Sequence, residues 1–502
     1  MKLFKKLLSY IIALTMVLSL ATLLGGNVHA ETTYKLTLNG TTTGHTYEAY
    51  QVFTGDLSTN TDGDKVLSNV KWGTGVTDTG TESAADVAKA LGDGSMTIAQ
   101  LEDQLTLSTT AKTVESSEGS TVIDGLTAGY YLVKDKDGTQ DGKSDAYTKF
   151  IVQVVGDATS NIKSDVPTVE KKVKDINDTE GKESGWQDSA DADIKDDVQY
   201  QITGTMPDNI ADYTTYKYEF TDTMSKGLTY KQEDGKKINA TIKIGETTVT
   251  DSFTEKVEAV KDQNGKETGE TKVTWTCDNL KGISGVTIDK NTKVVVTYSA
   301  QLNENAVIGA AGNPNTVNLT YSNNPNKGGE SDTGKTPDDK NIVFTYKTVV
   351  NKVDKDGNSL AGAAFKLEKK QSDGTYNTVK SFTAGETTTF EFNGLDDGVY
   401  KLTETTTPEG YNTIAPIEFT ISATHETDSS DPKLTELTVS KTSDETKFTA
   451  DKDAGSLTAD VVNKKGSTLP STGGMGTTLL YVAGGILVAC AAAYVVLNKK
   501  RA

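Results

Sequence analysis

The chain is 502 residues long and carries a formal net charge of −19, with 35% hydrophobic and 7% aromatic residues. So acidic a chain repels a phosphate backbone and is a poor nucleic-acid binder. Cys277 and Cys490 are its two cysteines, too few for a disulfide framework, so any secreted domains here need another kind of staple.

Lys2, Lys5 and Lys6 precede an apolar stretch from Leu7 to Leu24, and Val28, His29 and Ala30 form a small-residue cleavage site. Residues 1–30 therefore read as a secretory signal peptide. The mature chain would begin at Glu31 and is long enough for about three domains. The first, residues 31–165, alternates at Tyr34, Leu36 and Leu38, and again at Phe150, Val152 and Val154, as half-buried strands do. Two helical pieces interrupt it. Ala84, Val87, Ala88 and Leu91 lie on one helical face, and Thr97 with Gln100 forms a capping-box start ahead of Leu101 and Leu105. This pattern predicts a β-sandwich with a helical insertion. Residues 157–167 are small and polar, end at Pro167 and read as a linker with Lys163 in its middle.

The second domain, residues 166–326, opens with Val169, Lys171 and Val173 on one strand face, so Lys171 points where a core side chain points. Tyr218, Phe220 and Asp222 share a face in the same way, and so do Asn315, Val317, Leu319 and Tyr321. One lysine, one acid and one asparagine thus fall inward. Buried charge is costly without a partner, so one reading is a Lys–Asp ion pair capped by an amide. The other is an intramolecular isopeptide. Apolar surroundings lower a lysine pKa and raise a carboxyl pKa, leaving a neutral amine that can attack and a neutral acid that can polarise the amide. In that reading Lys171 is the nucleophile, Asn315 the acceptor and Asp222 the acid that hydrogen-bonds the carboxamide and helps ammonia leave.

A polar stretch, 326–339, precedes the third domain, residues 342–465. Asp354, Asp356 and Asn358 mimic the start of an EF-hand loop, but Ser359 stands where Gly is needed and Phe365 where the closing Glu would be, so a turn is expected. His45 and His425 are far apart in sequence and lack a cysteine or acid cluster, so neither a metal site nor a histidine triad is expected, and no cofactor. Asp222 and Glu404 fall in different domains and do not make a glycosidase pair. At the C-terminal end, residues 469–502, Leu469, Pro470, Ser471, Thr472 and Gly473 precede an uncharged run from Thr477 to Leu497 and then Lys499, Lys500 and Arg501. At a helical rise of 1.5 Å per residue the run reaches about 30 Å, the thickness of a bilayer core. The basic cluster then marks the cytoplasmic side.

Motif, span and basic stop together resemble the cell-wall sorting signal of Gram-positive surface proteins. That resemblance implies a sortase that cuts after Thr472 and passes the acyl group to an amine. The VVNKVDKDG segment with Lys352, LAGAAF with Phe365, YKLTETTTPEGY with Glu404 and VVNKKG with Asn463 resemble the collagen-adhesin B-type domain, which implies an isopeptide between Lys352 and Asn463 with Glu404 as its acid. Strand parity agrees: Val350 with Lys352, Leu402 with Glu404, and Val461 with Asn463 share faces. YKLTETTTPEGY also looks like the pilin E-box. The second-domain trio resembles the isopeptide-forming middle domain of backbone pilins. Lys163, at the end of the first domain and just before Pro167 and Lys171, holds the place of the accepting pilin-motif lysine, although Asn161, Ile162 and Ser164 replace the Tyr, Pro and Asn of that motif.

Taken whole, the chain resembles the major, backbone pilin of sortase-assembled Gram-positive pili. The resemblance implies an all-β chain of tandem immunoglobulin-like β-sandwiches, collagen-adhesin B-type at the C-terminal end. It also implies a structural shaft subunit of a cell-surface pilus, joined from Thr472 of one copy to Lys163 of the next and finally anchored to peptidoglycan. Its partners would be pilus-specific and housekeeping sortases, other copies of itself, minor pilins, peptidoglycan and a host surface. It would be no enzyme beyond a single self-catalysed turnover at each isopeptide. A single-copy wall-anchored adhesin with the same sandwiches and tail is the alternative.

Overall fold

The computed structural model of the chain describes residues 32–466, apart from 62, 163–165, 331 and 442–445, together with 481–491. The signal peptide, Lys163 and the motif from Leu469 to Gly473 lie outside the described residues. Residues 481–491, part of the predicted span, are helical. Among the described residues no helix is long and apolar enough to cross a membrane.

Strand follows strand through most of the chain. In the N-terminal part, Tyr34–Thr41 lies between Gly119–Leu126, antiparallel, and Ala158–Asn161, parallel. A second sheet orders Lys65–Trp72, Thr46–Thr59, Gly129–Asp135 and Lys149–Val154. Its strands are apolar on both faces because both are covered. Tyr131 and Val133 pack with Leu36, Leu38 and Tyr47. Tyr130 and Leu132 pack on the other side with Val52, Phe53 and the helical face of Ala84, Val87, Ala88 and Leu91. Helices Ala84–Gly92 and Ile98–Gln104 form as expected, the second with the full Thr97–Gln100 capping box. The linker begins later than its polarity suggests. Ala158–Asn161 is an edge strand, and the Ile162 amide still bonds the Asn39 carbonyl at 2.7 Å.

From Val169 onward two larger sheets face each other. One runs Val169–Val173, Asp197–Thr205, Lys293–Leu302, Thr241–Ile244. The other runs Ser189–Asp191, Asp339–Phe344, Asn313–Ser322, Tyr218–Met224, Glu267–Cys277, Thr254–Lys261. Tyr200, Tyr218, Phe220, Trp275, Val296 and Leu319 fill the space between them. The C-terminal sandwich faces a sheet of Thr389–Leu395, Tyr346–Val353, Ser456–Val462 and Phe448–Asp451 against one built around Ala364–Lys370 and Gly398–Thr406. In it Tyr346–Val353 and Ser456–Val462 pair in parallel, with Lys352 opposite Val461. Phe365, Phe390, Phe392, Tyr400 and Leu402 form its core.

Candidate cross-linking sites

Parity along three strands places Lys171, Asp222 and Asn315 in one spot, and all three are fully buried. Asp222 and Asn315 come from adjacent strands of one sheet, where Met224 pairs with Asn315. Lys171 reaches them from the other sheet. Its Nζ donates to Asp222 Oδ1 at 2.6 Å and to the Tyr298 hydroxyl at 2.5 Å. That hydroxyl donates to Asp222 Oδ2 at 2.5 Å and accepts from Asn315 Nδ2 at 2.9 Å. Asn315 Oδ1 has no hydrogen-bond partner among the described residues. The rings of Tyr200 and Tyr298 wall in the amine, their centroids 5.1 and 5.0 Å from Nζ. Burial pulls the Lys171 pKa below its ordinary value even though the Asp222 charge pushes it up.

The expected direct contact between Asp222 and the carboxamide is replaced by one through Tyr298. Tyr298 was missed in the sequence, yet its strand alternates cleanly, with Val294, Val296, Tyr298, Ala300 and Leu302 all buried. The clue was a hydroxyl carried on an otherwise aliphatic inward face.

In the C-terminal sandwich Lys352, Glu404 and Asn463 are likewise buried. Asn463 Nδ2 donates to Glu404 Oε1 at 2.9 Å and Oε2 at 3.1 Å. The Ile414 amide and the Thr407 hydroxyl each add a hydrogen bond of 3.2 Å to Oε2 and fix the carboxyl. Lys352 Nζ donates to the Val461 carbonyl at 2.8 Å and the Val353 carbonyl at 3.3 Å. Burial lowers its pKa to about 8 against the opposing pull of Glu404, so a sizeable fraction of this amine is neutral near neutral pH. Asn463 Oδ1, like Asn315 Oδ1, lacks a partner among the described residues.

The histidines do have acid neighbours, contrary to expectation, because residues distant in sequence fold together. His45 Nδ1 lies 2.8 Å from Asp135 Oδ1, and its Nε2 lies 3.4 Å from Asp145 Oδ2. Burial alone would lower the His45 pKa, but the two acids raise it to about 9. Asp135, itself fully buried, is thereby the partner of an imidazolium. His425 lies 3.6 Å from Asp175 and 3.8 Å from Asp191, and again the acids outweigh burial and raise it to about 9.

Close to this second pair, Lys369 Nζ contacts Asp178, Asp193 and Asp396 at 3.2, 2.7 and 2.9 Å. Three acid groupings, Asp175 with Asp191 and His425, Asp178 with Asp193 and Asp196, and Asp191 with Asp396 and Asp397, bring ligand-type atoms within 4.8 Å of one another. Lys369 and protonated His425 already lie among them. Burial first, then mutual repulsion, raises Asp196 and Asp397 to about 7, so the cluster is balanced by the chain's own cations and by held protons.

Residues 194–325 match the family model of the Gram-positive pilin backbone subunit 2, Cna-B-like domain. Residues 347–433 match that of the SpaA prealbumin-like fold domain. The trypsin-resistant surface T6 protein of Streptococcus pyogenes serotype M6 is 28% identical over 278 residues, covering 51% of this chain. The match spans 45% of that relative's own length. Among solved structures, the T6 backbone pilin of serotype M6 Streptococcus pyogenes aligns with a TM-score of 0.54 at 18% identity, over 88% of this chain and 100% of that one. It shares the fold. The full-length major pilin SpaD of Corynebacterium diphtheriae aligns at 0.49 and 20% identity, over 88% and 99%. The chain thus carries a stretch that matches a Gram-positive pilin backbone domain at residues 194–325 and one that matches a SpaA prealbumin-like domain at residues 347–433.

Proposed function

We propose that the chain is the structural shaft subunit of a covalently polymerised cell-surface pilus. The observation that carries this reading is the pair of buried Lys, acid and Asn trios, one in each of the two family-matched sandwiches. In each, a lysine with a lowered pKa becomes a neutral nucleophile and attacks the asparagine Cγ, and the side-chain nitrogen leaves as ammonia. Asp222 and Glu404 serve as the acids, and the products are the Lys171–Asn315 and Lys352–Asn463 isopeptides. Each reacts once, so the chain is a substrate of its own fold rather than a turnover enzyme. Proposed domain limits are 31–165, 166–326 and 342–465, between a signal peptide at 1–30 and a sorting signal at 469–502.

The motif from Leu469 to Gly473 supports cleavage after Thr472 by a pilus-specific sortase. Transfer to Lys163 of the next copy would build the shaft, and a housekeeping sortase would attach it to peptidoglycan. In sequence Lys163 comes two residues after the end of the strand Ala158–Asn161. Wall extracts should give an SDS-resistant ladder on an immunoblot, and Lys163→Ala should collapse it to monomer. An undiminished ladder would move the acceptor role to another lysine. No ladder from the wild-type chain would favour a single-copy adhesin instead.

A further inference from the structure

We propose that Tyr298 is a catalytic residue of the second-domain cross-link, its hydroxyl carrying a proton from Lys171 Nζ to the departing Asn315 Nδ2. This rests on the isopeptide reading above and adds a fourth member to that site.

A phenolic hydroxyl has one donor and two acceptor positions, and here all three are used on reacting groups. Tyr298 accepts from Lys171 Nζ at 2.5 Å and from Asn315 Nδ2 at 2.9 Å, and donates to Asp222 Oδ2 at 2.5 Å. In the C-terminal sandwich no hydroxyl stands between acid and amide. Glu404 touches Asn463 Nδ2 directly at 2.9 and 3.1 Å. Aspartate is one methylene shorter than glutamate, and in the second domain it is the Tyr298 hydroxyl that bonds both the acid and the amide.

The ring that carries it is held firmly. It stacks on Tyr200 at 5.2 Å, meets Trp275 at 5.2 Å and takes Tyr230 edge-on at 5.7 Å. Its strand, Lys293–Leu302, belongs to the sheet of Lys171, so the hydroxyl reaches across the sandwich to Asp222 and Asn315.

The proton count closes. The Lys171 ammonium first gives one proton to Asp222 Oδ1, and the neutral amine then forms a bond to Asn315 Cγ while the carbonyl electron pair moves onto Oδ1. In that adduct Nδ2 has lost its amide resonance and becomes basic. Asp222, now protonated, no longer needs the hydroxyl's hydrogen, so Tyr298 turns it to Nδ2 and takes a proton from Nζ. The Cγ–Nδ2 bond breaks and ammonia leaves. Of the three ammonium protons one remains on the new amide, one departs with ammonia and one stays on Asp222.

The test follows both cross-linked peptides by mass spectrometry of the full chain after a pulse of isotope-labelled synthesis. In Tyr298→Phe the Lys171–Asn315 peptide should appear about a hundredfold more slowly than in wild type, the scale of a lost proton-transfer partner. The Lys352–Asn463 peptide should keep its rate and serves as the internal control. A ring-fluorinated tyrosine placed at position 298 alone keeps the contacts and sharpens the phenol's acidity, and it should raise the second-domain rate. An unchanged rate in either chain overturns the assignment to Tyr298 and leaves the isopeptide reading standing. Absence of the Lys171–Asn315 peptide from the wild-type chain would sink the isopeptide reading itself, and this inference with it.

Discussion

Replacing Glu404 by Gln keeps the volume of the side chain and an oxygen for the Ile414 amide and the Thr407 hydroxyl, but removes the acid from the third-domain site. No cavity is made, so the change isolates the cross-link. The proposed Lys352–Asn463 bond would close a loop of about 110 residues, and the loop-entropy relation used for disulfides gives about 5 kcal/mol for such a closure. A domain of about 120 residues unfolds with roughly 250 cal/mol/K of entropy near its midpoint, so that loss lowers its melting temperature by about 20 °C. Scanning calorimetry of Glu404→Gln beside wild type should show one transition falling by that amount while the others stay. Intact mass should rise by about 17 Da, one ammonia retained. If the bond is absent by mass but the transition moves by less than about 5 °C, the loop-entropy reasoning is wrong. A bond that forms fully in the variant would remove Glu404 from the chemistry.

Asp222→Asn should likewise retain about 17 Da, and the purified region from Glu31 to Thr472 of the wild type should weigh about 34 Da less than its sequence, one ammonia per bond. An unmodified wild-type mass would reduce both trios to buried ion pairs. Deleting the residues after Thr472 should release the chain into the medium, and truncated chain still found covalently on the wall would refute the sorting-signal reading.

The junction of Lys369, His425 and their aspartates should weaken as pH rises. The folded pKa of His425, about 9, exceeds the ordinary 6.5, so its contribution of about 3 kcal/mol is full below about pH 6.5 and gone above about 9. Asp196 and Asp397, raised to about 7, hold protons that unfolded carboxyls release near pH 4, which works in the same direction between those values. Calorimetry across this range should therefore find melting of these two sandwiches falling with pH, and a rise would refute the assignment.

Both trios were legible because a strand has a period of two: Lys171 lies two residues from Val173, and Glu404 two from Leu402. The helices of the first domain were legible for a similar reason, since Thr97 and Gln100 carry their own cap in local sequence. What parity cannot supply is which inward faces meet. His425 and Asp175 are brought together by packing between sandwiches, and Tyr298 joins Lys171 only through the intervening strand Asp197–Thr205. Ala158–Asn161 was hidden because an edge strand beside Tyr34–Thr41 needs little apolar surface of its own.

The parallel pairing of Tyr346–Val353 with Ser456–Val462 determines where a pull on the C-terminal sandwich would travel. Force entering at Tyr346 and leaving beyond Asn463 loads the two strands in shear, head of one against tail of the other. With the proposed Lys352–Asn463 bond in place, that force runs along about six residues, roughly 20 Å of strand, crosses at the bond and exits. The residues between Lys352 and Asn463 are then bypassed. Unlinked, the same segment could pay out about 370 Å of chain. A fibre of such subunits would transmit a tug with almost no slack, and its length under load would be set by covalent geometry rather than by how long each sandwich stays folded.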